Sequence, residues 1–264
     1  MDLGLKERVA IIGGSSKGMG KATAIALARE GAFVTICART EAELRKAEIE
    51  ISRIASQQHV LAMTADLSRP DHIKRVVRGT FNRFERVDIV VNNIGGPPPG
   101  KPSELEDEQW NQALELNFLS AVRMSREVIP YMKQQRWGRI INLLSNAVRQ
   151  PVLDLVLSTS TRLAVVGFSK MLSNELALFN ITVNNALPGS IMTGRMTDLY
   201  ETMAQQGNKS SDELIKEAAQ RIPMRRLGRP EEMGDLITFL ASERAGYITG
   251  QSISLDGGAL AAIL

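Results

Sequence analysis

A block of hydroxyl side chains that ends in an arginine is the most unusual stretch of this chain. Residues 158–162 read Ser-Thr-Ser-Thr-Arg, with apolar residues on both sides. Serine and threonine hydroxyls compete for backbone hydrogen bonds, so they are poor residues for a helix interior. Ser158 and Arg162 are four residues apart and would share one helix face. A guanidinium there would stabilise a developing oxyanion, whereas the alternative is that Ser158 caps a helix that begins just after it.

A glycine-rich stretch is the second feature that carries chemistry. Gly13-Gly-Ser-Ser-Lys-Gly-Met-Gly20 follows a short apolar run at Val9–Ile12. Glycines permit a tight turn, and the absence of side chains lets a pyrophosphate approach the N-terminus of the next helix. Free N–H groups and the helix dipole favour anions at that point. Its place at the start of the chain favours a dinucleotide site over an ordinary turn between a strand and a helix.

Two cations indicate which dinucleotide this turn would take. Folds that prefer NAD place an acidic residue near the end of the second strand, where it holds the ribose 2′-hydroxyl. This chain has Ala38-Arg39-Thr40 there, and Lys17 lies inside the glycine-rich turn. Two cations in place of one carboxylate match the 2′-phosphate of NADP(H) by charge. The alternative is that both are ordinary solvated surface residues.

Elements that would position these residues follow a regular alternation. The apolar runs that predict buried strands are Val9–Ile12, Phe33–Cys37, Val60–Thr64, Ile89–Val91, Ile140–Leu144, Ile181–Ala186 and Ser252–Leu255. The segments that predict helices are Gly18–Glu30, Glu41–Ala55, Pro70–Phe84, Asp107–Lys133, Leu155–Phe179 and Glu231–Ser242. Strand followed by helix, repeated, predicts an α/β fold. We expect a Rossmann-type doubly wound sheet of about seven parallel strands with helices on both faces.

One segment breaks the alternation. Residues 194–224 are polar, rich in methionine and of helical character, and they precede the last helix and strand. Because an insertion after the carboxyl end of a strand lies on the ligand side of such a sheet, we expect a lid there. Met192, Met196, Leu199 and Met203 then form either an apolar wall for the substrate or plain packing.

Composition excludes several classes of protein. The chain suits a single domain over residues 1–264, and 32 basic against 29 acidic residues give a formal charge of +3, too little for a nucleic-acid surface. The single cysteine, Cys37, indicates a reducing compartment, and no apolar stretch reaches membrane-spanning length. The first residues lack the apolar core of a signal peptide. We therefore expect a soluble cytoplasmic protein that binds neither nucleic acid nor membrane.

Histidines are too sparse to predict a metal site. His59 and His72 are the two in the chain, and they lie too far apart to share an ion. No metal is therefore expected.

Together these motifs resemble the short-chain dehydrogenase/reductase family over nearly the full length of the chain. The segments similar to its cofactor-binding motifs are residues 14–20, Asp66-Leu67, Asn92-Asn-Ile-Gly95 and Pro188-Gly-Ser-Ile-Met-Thr193. Residues 227–232, 247–251 and 256–258 look most like the 3-oxoacyl-acyl-carrier-protein reductases. The residues that the resemblance implies as NADP(H) contacts are Gly14, Ser16, Lys17, Gly18, Met19, Arg39, Thr40, Asp66, Leu67, Asn93, Ile94, Gly95, Arg162, Pro188, Gly189, Ile191 and Thr193.

The resemblance also assigns catalytic positions and shows a departure. Asn117 and Ser145 fall where the family has its catalytic asparagine and serine. The family's Tyr-x-x-x-Lys pair, counted from Gly138 without gaps, falls on Ser158 and Arg162. In the family, the tyrosine donates a proton to the carbonyl oxygen and the lysine binds the nicotinamide ribose. Here we expect Arg162 to take over ribose binding and oxyanion stabilisation, with Ser158 or a bound water supplying the proton.

The chain's own tyrosines lie elsewhere in the sequence. Tyr131 and Tyr247 are far from the block, while Tyr200 belongs to residues 194–224 and is an alternative proton donor if it swings inward.

Two functions remain open at this point. The first is an NADP(H)-dependent oxidoreductase that acts on a small-molecule carbonyl or alcohol. The second is an NADP(H)-binding protein with little or no turnover, which senses the cofactor ratio or serves as a partner subunit. We favour the enzyme because Asn117, Ser145 and Thr193 are all present.

The family resemblance implies a homo-oligomer, either a dimer or a tetramer. We expect the two long helices, Asp107–Lys133 and Leu155–Phe179, to pack against their copies and Ala259–Leu264 to lie at a contact.

Overall fold

Seven parallel strands form one sheet in the order β3-β2-β1-β4-β5-β6-β7 in the computed structural model, which describes residues 1–262. The strands are β1 (Val9–Ile12), β2 (Phe33–Ala38), β3 (Val60–Thr64), β4 (Ile89–Asn92), β5 (Gly138–Leu143), β6 (Ile181–Pro188) and β7 (Ser252–Leu255). From β1 the chain adds β2 and β3 towards one edge of the sheet, then crosses back to place β4 on the other side of β1. A crevice opens at such a reversal, beyond the carboxyl ends of the strands, and ligands bind there in doubly wound folds. The predicted doubly wound sheet is confirmed.

Helices cover both faces of the sheet. They are α1 (Gly18–Arg29), α2 (Glu41–Ala55), α3 (Pro70–Phe84), α4 (Asp107–Ala113), α5 (Ser120–Gln135), α6 (Val156–Leu176), α7 (Gly194–Gln206), α8 (Ser211–Gln220) and α9 (Pro230–Ala241). Residues of α1, α2 and α9 pack on one face against Ala10 and Ile12, while residues of α3, α5 and α6 pack on the other against Ile11. Successive strand residues thus point to opposite faces, and both faces are buried.

Two predicted elements differ from the structure in their details. The expected helix Asp107–Lys133 is interrupted by a π-helical turn at Leu114–Leu119, which separates α4 from α5. Strand β5 starts at Gly138 rather than Ile140, because Arg139 is buried within the sheet although its side chain is charged.

The suggestion that Ser158 caps a helix is wrong. Helix α6 begins at Val156, and Leu155 occupies the position before it. Ser158 therefore lies inside the first turn of α6, where its hydroxyl is available to another side chain.

Residues 194–224 fold into α7 and α8 and the turn that follows them. Tyr200 is buried in this segment against Ile222 and Leu227, and Met192 and Met196 pack around the same cluster. Leu199 and Met203 are about half exposed, at 49% and 45%. The segment thus has a small apolar core of its own, and two of the four candidate wall residues contribute to that core.

Three further predictions concern membrane-spanning helices, metal sites and the C-terminal contact. No helix in residues 1–262 is both long and apolar enough to cross a membrane. The same residues contain no cluster of three or more histidine, cysteine, aspartate or glutamate side chains with metal-binding geometry. Of the predicted contact at Ala259–Leu264, Ile263 and Leu264 lie outside the described residues.

Candidate active site

A cleft of about 460 Å³ opens at the carboxyl edge of the sheet, above β1, β2, β4 and β5. Most of the predicted cofactor contacts line it. They are Gly14, Ser16, Lys17, Gly18, Met19, Arg39, Thr40, Asp66, Leu67, Asn93, Ile94, Gly95, Arg162 and Thr193. Residues that are distant in sequence thus share one surface.

The glycine-rich turn has the shape of an anion cradle. Gly14 and Gly18 have φ angles of +54° and +58°, a region that favours glycine. A Cβ on Gly20 would lie 2.4 Å from the carbonyl oxygen of Gly14, so the turn packs too closely for a side chain. No side chain caps the start of α1, which leaves its first N–H groups to the cleft. The turn therefore fits the phosphates of a dinucleotide.

Asn93 holds this turn from the neighbouring strand. Its Nδ2 donates to the carbonyl oxygens of Gly13 and Gly14, at 3.0 and 3.2 Å. Asn93 follows the last residue of β4, so its side chain ties the two strands that flank the crevice.

Lys17 and Arg39 are exposed cations at the mouth of the cleft. Neither forms an ion pair with a carboxylate of residues 1–262. Asp66 lies nearby: burial raises its pKa, but hydrogen bonds from Ser68 and the charge of Arg39 outweigh this effect and lower it. Two positive charges thus remain available for an anion at this end.

Pro188, Gly189 and Ile191 do not line the cleft. Gly189 donates its N–H to the carbonyl oxygen of Leu255 at 2.9 Å, and Ile191 pairs with Gly228 in an isolated bridge. These contacts fix the segment after β6, and that segment brings Thr193 to the cleft. Pro188, Gly189 and Ile191 therefore belong to the segment that positions Thr193 but do not themselves line the cleft.

Arg162 forms part of the floor of the cleft and is only 8% exposed. Its Nε donates to Ser158 Oγ at 3.1 Å, and its Nη1 donates to the carbonyl oxygen of Leu143, the last residue of β5, at 3.0 Å. Burial, followed by the charge of Arg195, lowers the pKa of Arg162 from its ordinary value to about 10. The guanidinium is therefore charged at neutral pH and held in one orientation.

Hydroxyls of the Ser-Thr-Ser-Thr block divide between different tasks. Ser158 accepts from Arg162, as described, and Thr161 Oγ1 accepts from Asn117 Nδ2 at 3.0 Å while donating to the carbonyl oxygen of Leu157. Ser160 is exposed, and Thr159 Oγ1 is buried with no hydrogen-bond partner among the described residues. Two of the four hydroxyls thus orient the arginine and the asparagine, which explains their presence in a helix.

Asn117 lies in the π-helical turn, and such turns occur often at functional sites. It borders a small cavity of about 20 Å³ together with Arg162, Asn92 and Asn142. That volume is close to what one water molecule needs, and the polar lining offers it hydrogen bonds.

Ser145 lies two residues beyond the end of β5 and is half-buried. Its Oγ accepts the N–H of Ala147 at 3.1 Å. It lines neither the cleft nor the small cavity, so the structure places it near Leu144, which does line both, rather than in the floor itself.

None of the three tyrosines lines the cleft. Tyr131 packs on Phe81 with ring centroids 4.6 Å apart, and Tyr247 is fully exposed. Burial in the cluster with Ile222 raises the pKa of Tyr200. A phenol from elsewhere in the chain does not replace the hydroxyl of Ser158 in this structure.

Sequence reasoning missed two features of the site. The first, which we call the asparagine row, is a row of hydrogen-bonded side chains on neighbouring strands. Asn92 Nδ2 donates to Asn142 Oδ1 at 2.8 Å, and Asn142 Nδ2 donates to Asn185 Oδ1 at 3.0 Å. The three asparagines are aligned across β4, β5 and β6. The asparagine row helps to fix the register of β5 against β4 and β6, and with it the position of the Leu143 carbonyl oxygen that accepts from Arg162.

The second missed feature is Arg195. It lies in the first turn of α7 and lines the cleft, and a Cβ placed on Gly96 would lie 3.5 Å from its Nη1. The local signal is weak: a basic residue follows Thr193 at a helix start, and that turn has no acidic residue. Only the fold brings it close to Arg162.

Comparisons with known proteins give a consistent result. Residues 14–259 match the family model described as enoyl-(acyl carrier protein) reductase. The NADPH-dependent reductase BacG of Bacillus subtilis is 32% identical over 263 residues, which cover 98% of this chain and 100% of that protein. A 3-oxoacyl-acyl-carrier-protein reductase of Synechocystis is 33% identical over 258 residues, 96% of this chain and 97% of that one.

Among solved structures, L-sorbose reductase of Gluconobacter frateurii, in complex with NADPH and L-sorbose, superposes with a TM-score of 0.95. The two sequences are 32% identical, and the alignment covers 100% of each chain. Fold, full-length sequence similarity and the family match agree, and this chain belongs to the short-chain dehydrogenase/reductase family of oxidoreductases.

Proposed function

We propose that this protein is an NADP(H)-dependent oxidoreductase that acts on a carbonyl/alcohol pair through an atypical active site. The observation that carries the proposal is the buried, charged Arg162 in the floor of the cleft that the glycine-rich turn also lines. The NADPH complex of the similar L-sorbose reductase supports the choice of cofactor. When bound, the nicotinamide supplies or accepts the hydride.

Each end of the cleft offers groups suited to one part of the cofactor. The N–H groups at the start of α1 would hold the pyrophosphate, and Lys17 with Arg39 would hold the 2′-phosphate. Asp66 and Leu67 line the part beside Arg39 and would contact the adenine, while Thr193 would hold the nicotinamide amide. The absence of an acidic residue after β2 removes the group that selects NAD.

Arg162 supplies the electrostatic part of the mechanism. A guanidinium has five N–H donors, and the bonds to Ser158 and Leu143 use two of them. The remaining donors can bind a ribose hydroxyl and a carbonyl oxygen on which negative charge develops. Preorganised donors of this kind act more strongly when they are buried, and Arg162 is only 8% exposed. Ser145, near the end of β5, would polarise the same oxygen.

The proton would come from Ser158 or from a water beside Arg162. An aliphatic alcohol is a much weaker acid than tyrosine, whose pKa is about 10. The guanidinium donates to Ser158 Oγ, which stabilises the alkoxide form and makes the hydroxyl a better acid. The small cavity between Asn117 and Arg162 provides a second route, because a water there would contact both side chains.

NADPH oxidation by a substrate panel tests the proposal. Ketones, β-ketoacyl thioesters, quinones and aldehydes are mixed with protein and NADPH, and the absorbance of NADPH is followed. We expect oxidation faster than in the blank for at least one carbonyl class. Tight NADPH binding with no oxidation across the panel would contradict the proposal and support a protein that senses the cofactor without turning it over.

Restoring the family's pair is a sharper test of the site. We expect Ser158→Tyr with Arg162→Lys to raise carbonyl reductase activity about tenfold, which corresponds to about 1.4 kcal/mol of barrier, because a better-matched acid then faces the carbonyl. Ser160→Tyr is the matched control, since Ser160 is exposed two residues along the same helix. Unchanged activity with intact NADPH binding would show that residues 158 and 162 do not take the positions of the family's pair.

A further inference from the structure

We propose that Arg195, with Arg162, binds a carboxylate on the substrate, so that the substrates are small oxo acids rather than neutral carbonyl compounds. This inference rests on the proposed function and narrows its substrate class.

Arg195 is a cation with no counter-charge. Its Nη1 lies 3.5 Å from where a Cβ on Gly96 would be, and its guanidinium forms no hydrogen bond or ion pair with residues 1–262. By contrast, Arg226, two residues beyond segment 194–224, forms a bidentate pair with Glu232 at 2.7 and 2.8 Å. Its position in the first turn of α7 adds to the imbalance, because the N-terminal end of a helix is already positive. A surface arginine at this place gains nothing from the protein itself.

Arg162 makes the imbalance greater. It is nine-tenths buried in the same cleft, and its protein partners are a hydroxyl and a backbone carbonyl, neither of which is charged. The charge of Arg195 is near enough to lower the pKa of Arg162, although burial has the larger effect. Two guanidiniums that repel one another in a partly desolvated site are stable together when an anion lies between them.

The lining of the cleft supplies no such anion. Its charged members are Lys17, Arg39, Arg162 and Arg195 against one carboxylate, Asp66, among the described residues. Asp66 accepts from both the N–H and the hydroxyl of Ser68, and it lies beside Arg39 at the opposite end. Arg195 is itself exposed in the cleft, so a ligand that enters the cleft could bring the negative charge that balances Arg162 and Arg195.

The position of Arg195 favours a substrate anion over a cofactor phosphate. The turn at Gly14–Gly18 with Lys17 and Arg39 already provides the donors that the cofactor phosphates need. Arg195 instead lies close enough to Arg162, on helix α6, for the two positive charges to repel each other. Leu116 and Leu144 line the same part of the cleft and suit a short carbon chain between a carboxylate and a carbonyl.

Matched acids and esters test the inference. The probes are 2-, 3- and 4-oxo acids of four to eight carbons, each measured beside its methyl ester, with acetoacetate and methyl acetoacetate as the first pair. In the unmodified protein we expect kcat/KM to be at least tenfold higher for acids than for esters. Arg195→Gln should lower the value for acids about 10- to 100-fold, the usual effect of losing a charged hydrogen bond, and leave the values for esters and the NADPH Kd unchanged.

Arg78→Gln is the control for the change in net charge. Arg78 is exposed on α3, outside the cleft. The substitution Arg78→Gln removes one positive charge from the surface, and we expect the ratio of acid to ester turnover to stay at the value of the unmodified protein.

Two results would overturn the inference. One is an equal loss for acids and esters in Arg195→Gln together with a weaker NADPH Kd, which would assign Arg195 to a cofactor phosphate. The other is no preference for acids over esters anywhere in the panel. If no compound is turned over, the proposed function fails by itself, and calorimetric binding of the acids to NADP⁺-loaded protein then decides: binding lost in Arg195→Gln supports the carboxylate site, and equal or no binding in both proteins refutes it.

Discussion

The two ends of β5 each hold a buried arginine, and the surroundings of these arginines differ. Arg139 lies near the start of the strand and is 1% exposed, while Arg162 is held by the last residue of the strand and is 8% exposed. Burial is the main cause that lowers the pKa of each from the ordinary value for arginine to about 10. Degree of burial and acidity therefore do not distinguish a structural arginine from a functional one.

Neighbours provide the distinction. Arg139 donates to the carbonyl oxygens of Gly138, Asn180 and Ser242, and its guanidinium stacks on Trp137 at 4.2 Å from the ring centroid. The charge of Arg8 lowers the pKa of Arg139 further, and the charge of Glu243 partly offsets both effects. The protein thus supplies acceptors for Nε and Nη1 of this arginine and a carboxylate close enough to act on it.

Acidic residues are likewise present around the start of β5. Buried Asp88 pairs with Arg8 at 3.2 Å and Arg86 at 2.7 Å, and Arg8 also contacts Glu243 at 3.0 Å. At the other end of the strand, Arg162 also has a cation for a neighbour, Arg195, but no carboxylate of residues 1–262 offsets the two charges. Unbalanced charge in an open cleft, rather than burial, marks the end of the sheet that binds a ligand.

Arg139→Met is expected to cause the largest effect, and the effect is on stability. Two buried carbonyl oxygens, those of Gly138 and Ser242, would lose a donor, and we expect the free energy of unfolding to fall by about 3 kcal/mol or more, since each unsatisfied buried acceptor costs about 1–3 kcal/mol. Urea unfolding followed by circular dichroism measures this. NADPH binding at 10 °C should be unchanged, because Arg139 is at the opposite edge of the sheet from the cleft. A loss below 1 kcal/mol would remove the contrast between the two arginines.

Arg162→Met is expected to have the converse result. Turnover should fall about 100-fold, which corresponds to about 2.7 kcal/mol, the typical cost of losing one preorganised donor to a developing oxyanion. The free energy of unfolding should change by less than about 1 kcal/mol, because removing the guanidinium also ends its repulsion with Arg195. Steady-state kinetics and urea unfolding on the same preparation test both parts. A loss of stability as large as that of Arg139→Met would make Arg162 a structural residue.

Local patterns in the sequence were sufficient for the architecture. The run Val9–Ile12 is apolar throughout because β1 is buried on both faces, and it was predicted with its observed bounds. The start of β5 could not be predicted in the same way. Arg139 interrupts the apolar pattern, and its burial depends on two carbonyl oxygens from distant parts of the chain, those of Asn180 and Ser242.

The candidate site was predictable only where one short segment carries the chemistry. Gly14 and Gly18 lie in a single short turn, and the spacing of the glycines in that turn is enough to predict a phosphate-binding site. Arg195 lies 33 positions after Arg162, and the residues around it in the sequence do not indicate a role. The role depends on Arg162, whose charge only the fold brings close to Arg195. The π-helical turn that places Asn117 against Thr161 is equally invisible, because its residues are ordinary helix formers.

The smallest expected effect is on the pH dependence of the rate. Folding lowers the pKa of Arg162 to about 10, so its charged form is penalised in the folded protein below that pH. As pH rises from about 10 towards 12.5, the unfolded chain holds more protons than the folded one, and the contributions of Arg162 and Arg139 to stability increase. Turnover changes in the opposite direction, because it needs the guanidinium charged, and it should be about halved at pH 10 relative to pH 8.

Arg195→Gln tests the source of that decline. Burial is the larger cause of the lowered pKa and remains in the variant, so the midpoint of the decline should move to higher pH by a modest amount while the decline itself persists. Initial rates between pH 7 and 10.5, with saturating NADPH and a methyl ester whose binding does not depend on Arg195, measure the midpoint. Arg78→Gln should leave it in place, because that exposed side chain lies outside the cleft. A midpoint that is the same in all three proteins would mean that Arg195 does not act on Arg162, and the contrast between the two ends of β5 would then rest only on the carboxylates around Arg139.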